Sequence, residues 1–268
     1  MPKPPVILAY HAVSTTWRSP LAVSEDALRE QLGWFRRRGY TGLTFTECER
    51  RRRDGSLPHR ALVVTFDDGF RSVLRAQPAC EELGFPATVF VVTSFVDDGR
   101  HLDWPGLEHV GIGSADDRAS LTWEELARLQ EQGWEVGSHT VSHRLLPDLE
   151  DDELAEELRD SREAIVQRLG RCDTVCYPYG LADRRVAAAA ASAGYAAGVT
   201  LTRAHPVDEP LRRPRVNMEE SDRGLRLRLL LSRGATVLRR SSLLDRLEAR
   251  GGRSPWIPQG PEHGGGRV

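Results

Sequence analysis

The chain has 268 residues, 40% of them hydrophobic and 28% charged, which is enough to bury a full core and excludes disorder throughout. Its 37 basic residues against 39 acidic ones leave a formal charge of −2, so no overall field draws it to nucleic acid or to an anionic membrane. No apolar run reaches transmembrane length and the segment 1–9 lacks the apolar core of a signal peptide, so the expectation is a soluble cytoplasmic protein.

In chain order, the apolar run 6–10 predicts a first strand, with Pro4 and Pro5 barring a helix before it and His11 at its end. Ser24 is a good cap for a helix with apolar positions at Ala27, Leu28, Leu32, Trp34 and Phe35, closed by Gly39. Residues 42–45 predict a second short strand, and Thr46 the cap of an arginine-rich segment over 47–53. The run 61–64 predicts a buried strand leading into Thr65-Phe66-Asp67-Asp68-Gly69, with a helix over 70–83 behind it. Residues 86–92 form an apolar strand buried on both faces, and 97–120, rich in Gly and Asp and holding Trp104, a long loop.

Thr122 and Glu125 make a capping box for a helix over 123–132. A strand over 134–137 then runs into Ser138-His139-Thr140-Val141-Ser142-His143. An acidic amphipathic helix over 148–169 follows, then a strand over 174–177 ending in Pro178-Tyr179-Gly180, an alanine-rich helix over 183–193, and strands over 195–200 and 215–218. Such alternation predicts parallel strands with crossover helices, in an open sheet or a barrel. Residues 225–247, rich in leucine and arginine, predict an amphipathic helical appendage, set against the barrel in preference to weak peripheral contact with a membrane. Beyond 250 the composition turns to Gly and Pro and predicts disorder. The expected division is a catalytic domain over 1–220, a helical appendage over 221–250 and a tail over 251–268.

The chemistry-bearing residues gather at predicted strand ends. Asp67 and Asp68 are adjacent carboxylates that repel one another if both are ionised and desolvated, which calls for a nearby cation or a shared proton. His139 and His143 are spaced so that one helical turn or a tight loop points both imidazoles the same way. With Asp68 or Asp67 as third ligand they make a two-histidine, one-carboxylate set that leaves positions open for water and substrate. A metal held by one aspartate lowers the pKa of its water towards about 7, and the other aspartate can take the proton. The Tyr179 backbone N–H and the His11 side chain are available as oxyanion donor and acid. Cys48, Cys80, Cys172 and Cys176 are dispersed and read as buried free thiols; Cys172 and Cys176 are half a metal site with no second half.

Three segments, Thr65-Phe66-Asp67-Asp68-Gly69, Ser138-His139-Thr140-Val141-Ser142-His143 and Tyr177-Pro178-Tyr179-Gly180, resemble in order and separation the first three motifs of the polysaccharide deacetylases, the nodulation-factor deacetylase homology domain. The resemblance covers about residues 5–220 and implies a distorted (β/α) barrel of about seven parallel strands. It also implies metal-dependent removal of N- or O-acetyl groups from a sugar, glycan or glycoside, with Asp67 as base, Asp68, His139 and His143 on a divalent ion, and the Tyr179 backbone at the oxyanion. Zinc is the expected ion, with cobalt, nickel or iron as alternatives. Ala9-Tyr10-His11-Ala12-Val13 resembles the N-terminal histidine motif of the subgroup acting on poly-N-acetylglucosamine, which implies His11 as general acid; His205 is the other candidate. Pro178, Trp104 and Arg215 are expected as substrate contacts. One departure stands out: the family's third motif carries an arginine two residues before its proline, where this chain has Cys176, and Arg213 or Arg215 is the candidate replacement. Cleavage of a cyclic amide or another C–N bond on the same scaffold, and an inactive carbohydrate-binding homologue, are the competing readings.

Overall fold

The computed structural model describes residues 4–98, 100–104, 107, 113–201 and 209–230. Strand β1 (Val6–Tyr10) precedes a small parallel pair, β2 (Ala12–Val13) and β3 (Ala22–Val23), and helix α1 (Glu25–Arg36). Then come β4 (Thr41–Leu43), α2 (Phe45–Arg53) and β5 (Ala61–Phe66). The helix expected over 70–83 is split into a 3-10 segment (Arg71–Ala76) and α3 (Gln77–Leu83), with Pro78 in the first turn of α3. After β6 (Ala87–Val91) and a 3-10 turn (Thr93–Phe95) comes α4 (Trp123–Glu131), whose capping box forms as the sequence predicts. The rest is β7 (Glu135–Ser138), α5 (Asp151–Leu169), β8 (Thr174–Cys176), α6 (Arg184–Ser192), β9 (Ala197–Thr200), β10 (Arg213–Pro214), β11 (Val216–Asn217) and α7 (Gly224–Leu230).

The main sheet is parallel throughout, in the order β10-β9-β8-β7-β6-β5-β1-β11. Its two end strands belong to one short segment. Arg213 and Pro214 pair with β9 while Val216 and Asn217 pair with β1, so residues 213–217 span the seam and complete the barrel. Counting that segment once, the ring has the seven staves that the family resemblance implies: β1, β5, β6, β7, β8, β9 and 213–217. β4 stands off the ring, using the edge of β5 at 61–63 that β6 uses at 64–66.

Alternation along the strands divides the core in two. Leu62, Val64 and Phe66 of β5 join Leu28, Leu32 and Phe35 of α1 in the outer layer, whereas Ala61 and Val63 join Ile7, Phe90, Cys176, Ala197 and Val199 in the lumen. Burial on both faces explains why β5 and β6 read as unbroken apolar runs. The lumen is polar nearer the strand N-termini, where Glu135 accepts from the Thr46, Thr88 and Thr174 hydroxyls and Glu49 pairs with Arg213. Thr46 is therefore tied to Glu135 and does not cap α2; Thr44 does so, its hydroxyl accepting from the Glu47 N–H, and this places Phe45 inside the helix.

Cys172 and Cys176 lie in different layers of the core, and all four cysteines are free and buried. Of the predicted appendage, α7 is described, and Leu227 anchors its start in the outer layer. The remainder of 225–247, the tail and His205 lie outside the described residues. No helix among the described residues is long and apolar enough to cross a membrane.

A Cβ at Gly137 would stand 2.6 Å from the Phe90 ring and 2.7 Å from the Thr174 hydroxyl, both inside the lumen. Gly137→Ala is therefore expected to lower stability by about 1–3 kcal/mol, read from the urea midpoint, because the filled lumen has nowhere to move.

Candidate active site

Every residue of the site follows a parallel strand at its C-terminal end, where barrels expose their loops to substrate. His11 succeeds β1, Asp67 and Asp68 succeed β5, His139 succeeds β7, Pro178 and Tyr179 follow β8, and Arg215 sits between β10 and β11. The ladder carries past the strand ends to seat several of them: Asp67 N–H donates to the Tyr10 carbonyl, His139 N–H to that of Val91 and Arg215 N–H to that of Thr200.

Asp67 and Asp68 are 1% and 3% exposed, and they face different partners. Asp68 takes a left-handed φ of 71°, which aspartate tolerates better than most residues and which turns its side chain away from that of Asp67. Asp67 is gripped by Arg215 through two parallel bonds of 2.6 Å each, Nη1 to Oδ1 and Nη2 to Oδ2. Arg215 Nη1 also donates to the Thr65 hydroxyl and Nη2 to the Cys176 sulfur, at 2.8 and 3.0 Å. Burial pushes the Asp67 carboxyl up, but the charge and hydrogen bonds of Arg215 outweigh it and hold the group below the usual carboxylate range. The Arg215 side chain has no exposed surface and is turned to Asp67, Thr65 and Cys176. Of the two candidate replacements for the missing arginine, Arg213 pairs with Glu49 near the other end of the lumen and Arg215 reaches Asp67.

Asp68 Oδ1 lies 3.1 Å from His139 Nε2 and 3.5 Å from His143 Nε2. His139 Nδ1 is 2.8 Å from the Cys176 carbonyl, which can only accept, so Nδ1 carries a proton and Nε2 faces the carboxylate; burial pushes the imidazole down, but Cys176 and Asp68 outweigh it and raise the group well above its ordinary value. Lone pair against carboxylate is repulsive unless a cation or an added proton lies between them. Three such atoms, all within 4.8 Å of one another, make a donor set that fits a divalent cation. Asp67, His139 and Cys176 form a second cluster, their ligand atoms also within 4.8 Å of one another. It is a poor cation site, because the Arg215 guanidinium already occupies both Asp67 and the Cys176 sulfur. Burial pushes the Asp68 carboxyl up, yet its bonds to His139 and His143 bring it well below its ordinary value, and burial pushes the His143 imidazole down towards its neutral form.

Around this centre, His11 Nε2 stands 3.9 Å from Asp67 Oδ2, with its side chain 12% exposed against 2% for that of Asp67. Trp104 and Tyr179 flank His143, with ring centroids 4.2 and 4.8 Å away. Trp104 is itself buried against Phe70 and Phe95. Pro178 is buried, and Tyr179 after it has a left-handed φ of 58° and is followed by Gly180 at 70°. A Cβ at Gly180 would meet Leu201 at 2.3 Å, so the turn requires glycine there. The turn 140–143 between the two histidines is a loop, with Thr140 and His143 both at positive φ.

Residues 54–198, more than half the chain, match the family model "Polysaccharide deacetylase". The chain belongs to this family. Among its relatives is YxkH of Bacillus subtilis (strain 168), named for the same family, at 25% identity over 72% of this chain and 63% of that protein. The poly-beta-1,6-N-acetyl-D-glucosamine N-deacetylase of Escherichia coli (strain K12) is 32% identical over 45% of this chain and 18% of its own length. The chain thus spans less than two thirds of either relative. The fold is that of the Streptococcus pyogenes deacetylase PplD, solved in complex with acetate, at a TM-score of 0.74 and 24% identity over 87% of this chain and all of that one.

Breaking the buried pair should be costly. Arg215→Met, compared with wild type by urea denaturation of chelator-treated protein, is expected to lose about 3–5 kcal/mol at neutral pH. Because the folded Asp67 carboxyl lies below its ordinary value, the pairing contributes above the usual carboxylate range and is lost as the pH falls through the lowered one. The difference between the two proteins should therefore narrow in acid.

Proposed function

We propose that this chain is a metal-dependent deacetylase that hydrolyses an N-acetyl group on a sugar or glycan. The observation that carries the proposal is the division of labour between adjacent aspartates: Asp67 bound to a guanidinium and Asp68 bound to two imidazoles. A binding protein has no use for that separation, whereas hydrolysis needs one carboxylate as ligand and another as base. Relatives named for N-deacetylation of poly-beta-1,6-N-acetyl-D-glucosamine support an N-acetylglucosamine unit as the substrate class.

Asp68, His139 and His143 would hold the ion, and the donor set favours zinc, with cobalt, nickel or iron as alternatives. When bound, such an ion supplies a Lewis acid for the acyl carbonyl and for the attacking water. Asp67, kept ionised by Arg215, accepts the water's proton as the water adds to the carbonyl carbon. The Tyr179 N–H donates to the acyl oxygen as negative charge develops there. His11, at the solvent edge of Asp67, donates a proton to the departing amine, so that acetate and a free amino sugar result.

Stripping the protein with a chelator should abolish acetate release from N-acetylglucosamine oligomers, and zinc or cobalt should restore it. Asp67→Asn should retain its metal and lose at least ~10²-fold in kcat, and full activity would remove Asp67 from the role of base. His11→Ala should lower kcat with metal content unchanged; a fall in bound metal would place His11 among the ligands instead.

A further inference from the structure

Glu157 is a buried carboxylate for which the chemistry above has no use. It is 7% exposed, on the face of α5 that carries Leu154, Leu158, Ser161 and Ile165 into the core. No cation pairs with it among the described residues. Instead Oε2 accepts from the backbone N–H groups of Val141 and Ser142, both at 3.0 Å, and Oε1 accepts from the Ser142 hydroxyl.

Those donors belong to the turn between His139 and His143. Thr140 at φ 68° and His143 at φ 59° make it a conformation that non-glycine residues rarely hold without support. Four of its backbone groups are satisfied elsewhere: the Thr140 and Val141 carbonyls accept from the Thr93 and Ser94 N–H groups, Thr140 N–H donates to the Ser138 hydroxyl, and His143 N–H donates to the Thr140 hydroxyl. The Val141 and Ser142 N–H groups and the Ser142 hydroxyl are donors converging on one point, and a carboxylate satisfies them together.

We infer that Glu157 is a positioning residue for metal capture: by anchoring the Val141 and Ser142 N–H groups it sets where His143 Nε2 stands relative to His139 and Asp68. The inference rests on the metal reading of the site proposed above. It makes α5 an outer support of the ligand set, reaching the metal through the turn without touching it.

The test is a titration of cobalt(II) alone into the chelator-stripped full chain, followed by the d–d absorption band and by metal retained after gel filtration, with circular dichroism as a check on folding. Glu157→Ala is expected to bind cobalt about 10–100-fold more weakly, with an altered band. Glu157→Gln keeps an acceptor for the two N–H groups and should stay within about threefold of wild type. Leu158→Ala, in the same buried stripe, should lower Tm and leave cobalt affinity unchanged. If Glu157→Ala fails to fold, Glu157→Asp, which draws the carboxylate back by a methylene, carries the test, with an expected loss of at least about threefold. Wild-type affinity and spectrum in the folded Ala or Asp variant overturn the inference, as does an equal loss in Leu158→Ala. Should the wild-type chain take up no cobalt, the metal reading itself falls, and this inference with it.

Discussion

Two neighbouring carboxylates cannot both be charged inside a barrel unless each has its own cation. Asp67 and Asp68 are both buried, and the chain meets the constraint by sending them apart. The left-handed φ of Asp68 turns it to the histidines, while Asp67 remains in line with β5 and meets Arg215. Had the two aspartates shared one partner, one would have been protonated, and the site could not offer both the base and the ligand proposed for it. The guanidinium thus leaves Asp68 free for the metal proposed above.

That requirement shapes the barrel. Arg215 lies in the five-residue segment that spans the seam between β9 and β1, so the element that completes the ring also delivers the charge partner of Asp67. Arg213, two residues earlier and so on the same inward face, pairs with Glu49 near the opposite end. Glu135, the other carboxylate in that region, is satisfied by threonine hydroxyls from α2, β6 and β8. The lumen is accordingly stacked in layers, a polar floor, a short apolar waist around Val63, Phe90 and Val199, and the reactive rim. Each buried charge has a partner within its own layer, which is the condition for burying charge without large cost.

The strand-and-helix order was legible because period and punctuation are local: Ser24, Thr122 with Glu125, and Asp183 begin helices at or within a residue of where the sequence places them. The aspartates and histidines were legible because adjacency and four-residue spacing are also local. Thr44 against Thr46 was misjudged because both can cap, and the choice turned on Glu135, distant in sequence, drawing in the Thr46 hydroxyl. Which arginine serves Asp67 was illegible for the same reason, since Arg213 and Arg215 differ only in which layer of the lumen their strand register reaches. Glu157 did leave a signal: it is the one acid on the buried stripe Leu154, Leu158, Ser161, Ile165, at a position where an amphipathic helix would ordinarily place an apolar residue.

Cys176 explains why the arginine could change strands. Its sulfur lies 3.0 Å from Arg215 Nη2, so the space above β8 that a longer side chain at 176 would occupy is filled by a guanidinium from the seam. Two arginines could not share that space with a single carboxylate to neutralise them. A small, weakly polar residue at 176 and an arginine at 215 are therefore two halves of one device, each intelligible only with the other. Position 176 still contributes to the site through its backbone, whose carbonyl holds the His139 tautomer whatever the side chain is. The departure from the family motif thus alters which strand supplies the charge partner of Asp67 and leaves intact the contact that orients His139.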